Sequence, residues 1–261
     1  MDDPQEIESF LVHLCDLAAA ETLPRFRSAN RISNKLDEGF DPVTEADRGA
    51  ERAIRKCIEE RFPDHAIIGE EYGLKSNEGS RYKWIIDPVD GTRAFISGLP
   101  LWGTLIALYR DNSPLAGVMS QPFTGETFLS NSQESFLQRR EKQSKLATSE
   151  IHDLASATLM TTSPYLFDAS KFEAYHRVEE KCRMARYGAD CYACCLLASG
   201  NIDIVIESGL QVYDIAALIP IIREAGGIIS DWEGNPEPWG GNVIASANPR
   251  LHNEALRMLS G

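Results

Sequence analysis

Basic residues are scarce in this chain: 26 Lys and Arg stand against 39 Asp and Glu, a formal net charge of −13. Such a balance repels phosphate backbones and anionic lipid unless a local basic patch overrides it. The densest candidate, Arg139-Arg140-Glu141-Lys142, is short and interrupted, so neither nucleic acid nor a membrane surface is expected as a partner. Long apolar runs are missing too. None approaches the ~20 residues needed to span a bilayer, and the opening Met1-Asp2-Asp3-Pro4 is acidic where a secretory signal is basic and then apolar, which makes the cytoplasm the expected compartment. Histidine is rare, five residues with no H-x-x-x-H spacing, and this removes histidine-based metal or triad chemistry. The six cysteines, Cys15, Cys57, Cys182, Cys191, Cys194 and Cys195, sit in a chain too long for a disulfide scaffold and read as reduced thiols. Cys191 and Cys194 form one C-x-x-C with no second pair. In a run of small residues ending at Gly200, helix packing explains them better than zinc or redox chemistry. Internal repeats and low-complexity linkers are absent as well.

What remains is an ordinary globular composition over 261 residues, 43% hydrophobic and 25% charged. That length accommodates one large domain or two closely packed halves. Apolar residues at i, i+3 and i+4 (Ile7, Phe10, Leu11, Leu14, Leu17, Ala18) predict an amphipathic helix over residues 7–26. A second helix is predicted from Thr44, a good N-cap with Asp47 three residues on, to about Phe62-Pro63. Short apolar runs at 66–68, 84–86, 104–108, 115–119 and 127–129 then read as strands of one sheet, linked tightly enough to suggest antiparallel neighbours. After residue 147 the pattern alternates: strands at 157–160, 184–187, 202–206, 227–230 and 243–245, helices at 171–179, 191–199, 215–225 and 249–259. The chain therefore divides into an α+β half, 1–147, carrying most of the candidate site, and an α/β half, 148–261, that completes it, the two forming one unit.

Acidic residues cluster at the ends of these elements. Glu70-Glu71 closes the 66–69 strand, and Asp87 and Asp90 follow the next in Asp87-Pro88-Val89-Asp90-Gly91-Thr92. Asp214 opens the helix from Ile215, while Asp41 and Asp47 flank the start of the second helix. Singly, each has a structural explanation as a turn residue, a first-turn helix charge or an N-cap. Together they converge on one rim, and no Lys or Arg lies within two residues of Glu70, Asp87 or Asp214. Crowded acids call for cations, and an oxygen-only donor set favours a hard ion, Mg²⁺ first and Mn²⁺ second. A short helix predicted over 92–97, closed by Gly98, offers amides for an anion such as phosphate beside the metals. Acids, hard metal and anion cradle add up to phosphoryl chemistry.

With Asp41-Pro-Val-Thr44-Glu-Ala-Asp47, Gly69-Glu70-Glu71, Asp87-Pro-Val-Asp90-Gly-Thr92 and Tyr213-Asp214 followed by Ala225-Gly226-Gly227, the chain resembles the inositol monophosphatase-like family of Mg²⁺-dependent phosphatases. All four motifs occur in the family's order and cover nearly the whole chain. The resemblance implies an α/β five-layered αβαβα sandwich, a homodimer, and two to three Mg²⁺ per site acting on a small phosphorylated substrate. It assigns Glu70, Asp87 and the Val89 carbonyl to a first Mg²⁺, Asp87, Asp90 and Asp214 to a second, and Glu70 with Asp47 to a third, weaker one. Glu70 and Thr92 then orient and deprotonate the attacking water, and the Gly91 and Thr92 amides hold the phosphate.

Three segments resemble the histidinol-phosphate phosphatase branch: Arg93 to Thr104, Tyr187-Gly188-Ala189-Asp190-Cys191-Tyr192, and the run from Leu197 to Glu207. Cys194-Cys195 departs from that branch, which tends to place an aromatic and a glycine there. Histidinol phosphate carries an ammonium and an imidazole, so a site for it should offer carboxylates. Asp190 and Glu207 are the candidates, against the structural alternatives of a helix N-cap and a solvated strand end. Arg93, Trp102 and Tyr192 are weaker candidates for the pocket wall. The connector 37–40, with Gly39 just ahead of Asp41 and Lys35 nearby, is a candidate lid. Three functions stand in order: histidinol-phosphate phosphatase; an inositol or broad-specificity sugar-phosphate monophosphatase; and, from another class, a non-catalytic regulatory or RNA-associated protein on the same fold.

Overall fold

The computed structural model describes residues 3–28, 32–34 and 42–260; Lys35, the 37–40 connector and Asp41 lie outside them. In chain order the elements are α1 (Pro4–Thr22), β1 (Ile32–Asn34), β2 (Pro42–Thr44), α2 (Glu45–Arg61), β3 (Ala66–Gly69), β4 (Gly73–Lys75), β5 (Tyr82–Asp90), α3 (Thr92–Ile96), β6 (Gly103–Arg110), β7 (Ser113–Gln121), β8 (Glu126–Ser130), β9 (Ser135–Arg139) and β10 (Lys142–Lys145). They continue with β11 (Thr158–Thr161), α4 (Ala169–Glu179), β12 (Met184–Tyr187), α5 (Cys191–Ala198), β13 (Ile204–Leu210), α6 (Val212–Ile215), α7 (Leu218–Glu224), β14 (Ile228–Asp231), β15 (Gly241–Ser246) and α8 (Pro249–Leu259).

An eight-stranded sheet runs β10-β9-β8-β7-β6-β5-β3-β4, and a five-stranded sheet runs β12-β11-β13-β15-β14. Three apolar cores separate the layers. Ile7, Leu11 and Leu14 of α1 meet Ile54 and Ile58 of α2 over Trp84, Ile86 and Ile106 of the first sheet. Leu197 of α5 and Ile221 and Ile222 of α7 fill the space between the sheets, against Leu105, Met119 and Val205. Tyr175 of α4 and Leu251 and Leu259 of α8 cover the outer face of the second sheet over Ile204 and Ile244. The result is the expected αβαβα sandwich. The central helices approach very closely: a Cβ on Gly117 of β7 would lie 2.9 Å from Ala217 Cα just ahead of α7, which leaves only glycine at that point.

Several expectations need correction. The first helix ends at Thr22, before the turn that carries Phe26. The 66–69 and 82–90 strands are parallel, with Ile67 opposite Trp84, because the β4 hairpin intervenes and reverses the chain first. The helix expected over 215–225 is two, α6 and α7. Strands β1, β2, β4, β9 and β10 go beyond the sequence reading; the last is exposed throughout and carries no apolar alternation. Among the described residues, no helix is long and apolar enough to cross a membrane.

Candidate active site

The acids meet in a cleft of about 480 Å³, lined by Glu70, Asp87, Asp90, Thr92, Asp190, Glu207 and Asp214 among others. Local chemistry places each one. Thr44 caps α2 in a reciprocal box: its hydroxyl accepts from the Ala46 amide at 3.1 Å, while its own amide donates to Asp47 Oδ2 at 2.8 Å. Asp47 is thereby buried in the first turn, its other oxygen 3.4 Å from Thr92 Oγ1. Glu70 leaves β3 with its amide bonded to the Ile86 carbonyl at 3.1 Å.

Asp87 and Asp90 stand three residues apart, a spacing that puts side chains on opposite faces of a regular strand. Here the β5–β6 register shifts between them, in a bulge that Pro88 permits because it has no amide to lose. Thr104 Oγ1 pins the bulge by donating to the Pro88 carbonyl at 2.8 Å. Both carboxylates thus reach the same cleft. Asp214 belongs to the first turn of α6, where its Oδ2 accepts the Gln211 amide at 2.7 Å; it does not open the helix as an N-cap. One oxygen each from Asp87, Asp90 and Asp214 lies within 4.8 Å of the others.

This crowding is electrostatically unfavourable without a cation. Burial first, then the charges of Glu70, Asp90 and Asp214, hold the Asp87 carboxyl well above the usual range. Burial, then Asp190 and Asp214, do the same to Asp90, against the pull of the Cys191 amide. Asp47 is raised by burial despite its bonds from Thr44. Every donor is oxygen, so the set fits a hard divalent cation.

The α5 N-terminus settles the alternative for Asp190. This residue occupies the N-cap position but makes no capping bond, its backbone held at φ 45°, ψ −136°. Asp90, from the other sheet, caps the helix instead: its Oδ2 accepts the Cys191 amide at 2.7 Å. The Asp190 carboxyl lines the cleft, pushed up to about 6 by burial against the opposing charge of Arg93. Glu207 is no solvated strand end. It is 8% exposed and accepts from Thr162 N at 2.7 Å, Thr162 Oγ1 at 3.0 Å and Thr161 Oγ1 at 3.3 Å. Burial outweighs these bonds and pushes its carboxyl up to about 8.

Arg93 is exposed on the rim. Trp102 and Tyr192 leave the candidate wall: Trp102 is core, packed on Phe26 and Phe95, and the Tyr192 hydroxyl donates to Glu126. Cys191, Cys194 and Cys195 are buried, unbridged helix residues. Sequence reasoning missed Thr162, Ser208 and Gln211, which line the same cleft; they carry no motif and reach it from the end of β11 (Thr162) and from β13 and the turn after it (Ser208, Gln211).

The family model described as "Inositol monophosphatase family" matches residues 3–260. The chain belongs to the inositol monophosphatase family. It is 40% identical over 257 residues to the bifunctional phosphatase IMPL2, chloroplastic, of Arabidopsis thaliana, covering 94% of this chain and 72% of that protein. It is 34% identical over 238 residues to a histidinol-phosphatase of Chlorobaculum parvum, covering 91% and 90% of the two chains. Among solved structures, an inositol monophosphatase from Zymomonas mobilis superposes with a TM-score of 0.86 at 37% identity over 98% of each chain. As a member of this metal-dependent family the protein is a phosphatase of small phosphomonoesters, and its clustered acids are where a metal fits.

Proposed function

We propose that the protein is a Mg²⁺-dependent histidinol-phosphate phosphatase, converting L-histidinol phosphate and water to L-histidinol and phosphate in histidine biosynthesis. The observation that carries the choice of substrate is the pair of carboxylates, Asp190 and Glu207, lining the same cleft as the Asp87–Asp90–Asp214 cluster. A desolvated ammonium or imidazolium without such partners would be costly to bind.

Glu70, Asp87, the Val89 carbonyl, Asp90 and Asp214 would hold two ions, with Glu70 and Asp47 at a third, weaker position; Mn²⁺ suits the same oxygens. Held there, such ions would supply Lewis-acid chemistry, easing deprotonation of the attacking water and stabilising charge on the phosphoryl group and the leaving oxygen. Glu70 takes up the proton of that water. Thr92, held by Asp47 and donating to the Val89 carbonyl at 3.1 Å, orients it. The Gly91 and Thr92 amides at the start of α3 fix the phosphate, and Asp190, Glu207 and rim Arg93 choose the leaving group. The division at residue 147 belongs to this reading, since Glu70, Asp87 and Asp90 come from one half and Asp190, Glu207 and Asp214 from the other. So does a homodimer, supported by Met184 and Tyr187, exposed on the edge strand β12. Unbridged cysteines suit a reducing compartment such as the cytoplasm.

One observation favours a second reading, an inositol or broad sugar-phosphate monophosphatase. Glu207 already accepts three hydrogen bonds, and Thr162, Ser208 and Gln211 offer the neutral partners that hydroxyls use. Phosphate release with Mg²⁺ or with EDTA, from L-histidinol phosphate, myo-inositol 1-phosphate and a sugar phosphate, separates them. A preference of roughly a hundredfold in kcat/KM for histidinol phosphate is expected from a charged contact at Asp190 and a hydrogen bond at Glu207, whose carboxyl keeps its proton to about pH 8. Equal rates would favour the broad enzyme, and no EDTA-sensitive release from any of the three would end the Mg²⁺-dependent reading.

A further inference from the structure

Helix α2 carries a buried ion pair that the reaction above does not use. Glu51 is 0% exposed and lies one turn beyond Asp47 on the same helix face. Its Oε2 accepts the Glu71 amide at 2.7 Å, and its Oε1 accepts the Tyr72 amide at 3.2 Å and Arg55 Nε at 2.6 Å. Arg55 Nη2 donates to the Gly73 carbonyl, and Arg52 Nη1 donates to the Tyr72 hydroxyl at 2.6 Å. The turn that follows Glu70 is therefore fastened to one helix through two amides and a carbonyl. Gly69 keeps the approach open, because a Cβ there would overlap the Glu51 carboxylate.

A buried ion pair is a weak stabiliser, since desolvation offsets much of its attraction and an apolar pair of similar volume often serves as well. What it provides is direction. The Glu70 amide is already set by the Ile86 carbonyl, and Glu51 sets the next two amides, so the backbone is held on both sides of the Glu70 side chain. Helix α2 then acts as a common frame, with Asp47 reaching Thr92 and, four residues on, Glu51 reaching the Glu70 turn.

We propose that Glu51 is a positioning residue: by holding the Glu71 and Tyr72 amides it fixes the Glu70 carboxylate against Asp87 and sets the affinity of the cleft for its divalent cation. This rests on the reading of Glu70 as a metal ligand. The test compares Glu51→Gln, Arg55→Lys and Glu70→Gln in the full chain, with Mn²⁺ binding by calorimetry, the melting temperature in EDTA, and kcat and KM across a Mg²⁺ series. Glu51→Gln is expected to weaken Mn²⁺ binding about 10- to 100-fold, the usual effect of losing a partner behind a ligand. The half-saturating Mg²⁺ should rise in parallel while the substrate KM at saturating Mg²⁺ stays put. Arg55→Lys should move binding the same way by a smaller factor, and it decides the matter if Glu51→Gln does not fold. Variants that melt earlier yet bind Mn²⁺ like the wild type would make the pair purely structural and overturn the proposal. Wild-type Mn²⁺ affinity in Glu70→Gln would instead overturn the ligand reading beneath it.

Discussion

Glu51 and Asp87 are both carboxylates shut away from water, 0% and 2% exposed, and their surroundings could hardly differ. Glu51 is met by two amides and a guanidinium from its own chain. Asp203, also buried, is treated alike, accepting the Thr158 amide at 2.7 Å and the Ser149 hydroxyl. Asp87 accepts the Val89 amide at 3.0 Å and otherwise faces Glu70, Asp90 and Asp214. The chain supplies donors where an acid serves the fold and gathers acids together where, in the reading proposed here, a cation from solution is to complete the set.

Replacing a crowded acid tests that contrast most severely. Asp90→Asn should lower kcat/KM by about 10³-fold, ~4 kcal/mol of transition-state stabilisation. Its melting temperature in EDTA should hold or rise, since one repelling charge goes while the amide oxygen can still accept from Cys191. An active or unfolded Asp90→Asn protein would place Asp90 with the structural acids.

Glu207 carries one separable share of the pH dependence, beside the raised carboxyls of Asp87, Asp90 and Asp190. Its carboxyl is raised to about 8 in the folded protein against an ordinary value near 4.3, so the folded state retains a proton that the unfolded chain releases. The stability tied to that proton is fully present below the ordinary value and is lost as pH rises through about 8, about 5 kcal/mol across the window. Melting curves in EDTA from pH 5 to 8.5 should therefore fall more steeply for the wild type than for Glu207→Gln. Equal slopes would mean that Glu207 is satisfied by its threonines in the way Glu51 is satisfied by its partners.

Metal return should reverse the repulsion. At about 100-fold over its dissociation constant, Mg²⁺ adds ~2.7 kcal/mol to the folded state, a rise of roughly 5–10 °C in Tm for a domain of this size. Scanning calorimetry should find that rise in the wild type and a much smaller one in Asp87→Asn; identical rises would remove the cleft as the binding site. Smallest of the four, Asp190→Ala should weaken turnover of histidinol phosphate by about 2 kcal/mol, roughly thirtyfold, while leaving a neutral aryl phosphate nearly untouched. Equal losses on both substrates would return Asp190 to a structural role.

Much of this site was legible because its signals are local. The Thr44–Asp47 capping box, the glycine after Asp90 and the acidic ends of the 66–69 and 82–90 strands lie within a few residues of one another, and side-chain chemistry plus helix or strand period suffices to read them. Glu51 escaped notice although it stands four residues from Asp47: its partners are the amides of Glu71 and Tyr72, twenty positions away, and amides leave no trace in a sequence. The exchange of caps at α5 was equally hidden, since Asp190 has the right residue type in the right place and yet Asp90, 101 positions before Cys191, accepts the Cys191 amide.

By itself the sequence determined that acids stand at the ends of neighbouring elements, and most of the order of helices and strands, because composition and short-range periodicity govern both. Tertiary structure alone decided that β3 and β5 run parallel, that a bulge turns Asp87 and Asp90 to one side, that Glu207 is buried, and which acid caps and which is left facing the cleft. Each of these depends on contacts between segments far apart in the chain, where burial and proximity, rather than residue type, fix the state of a carboxylate.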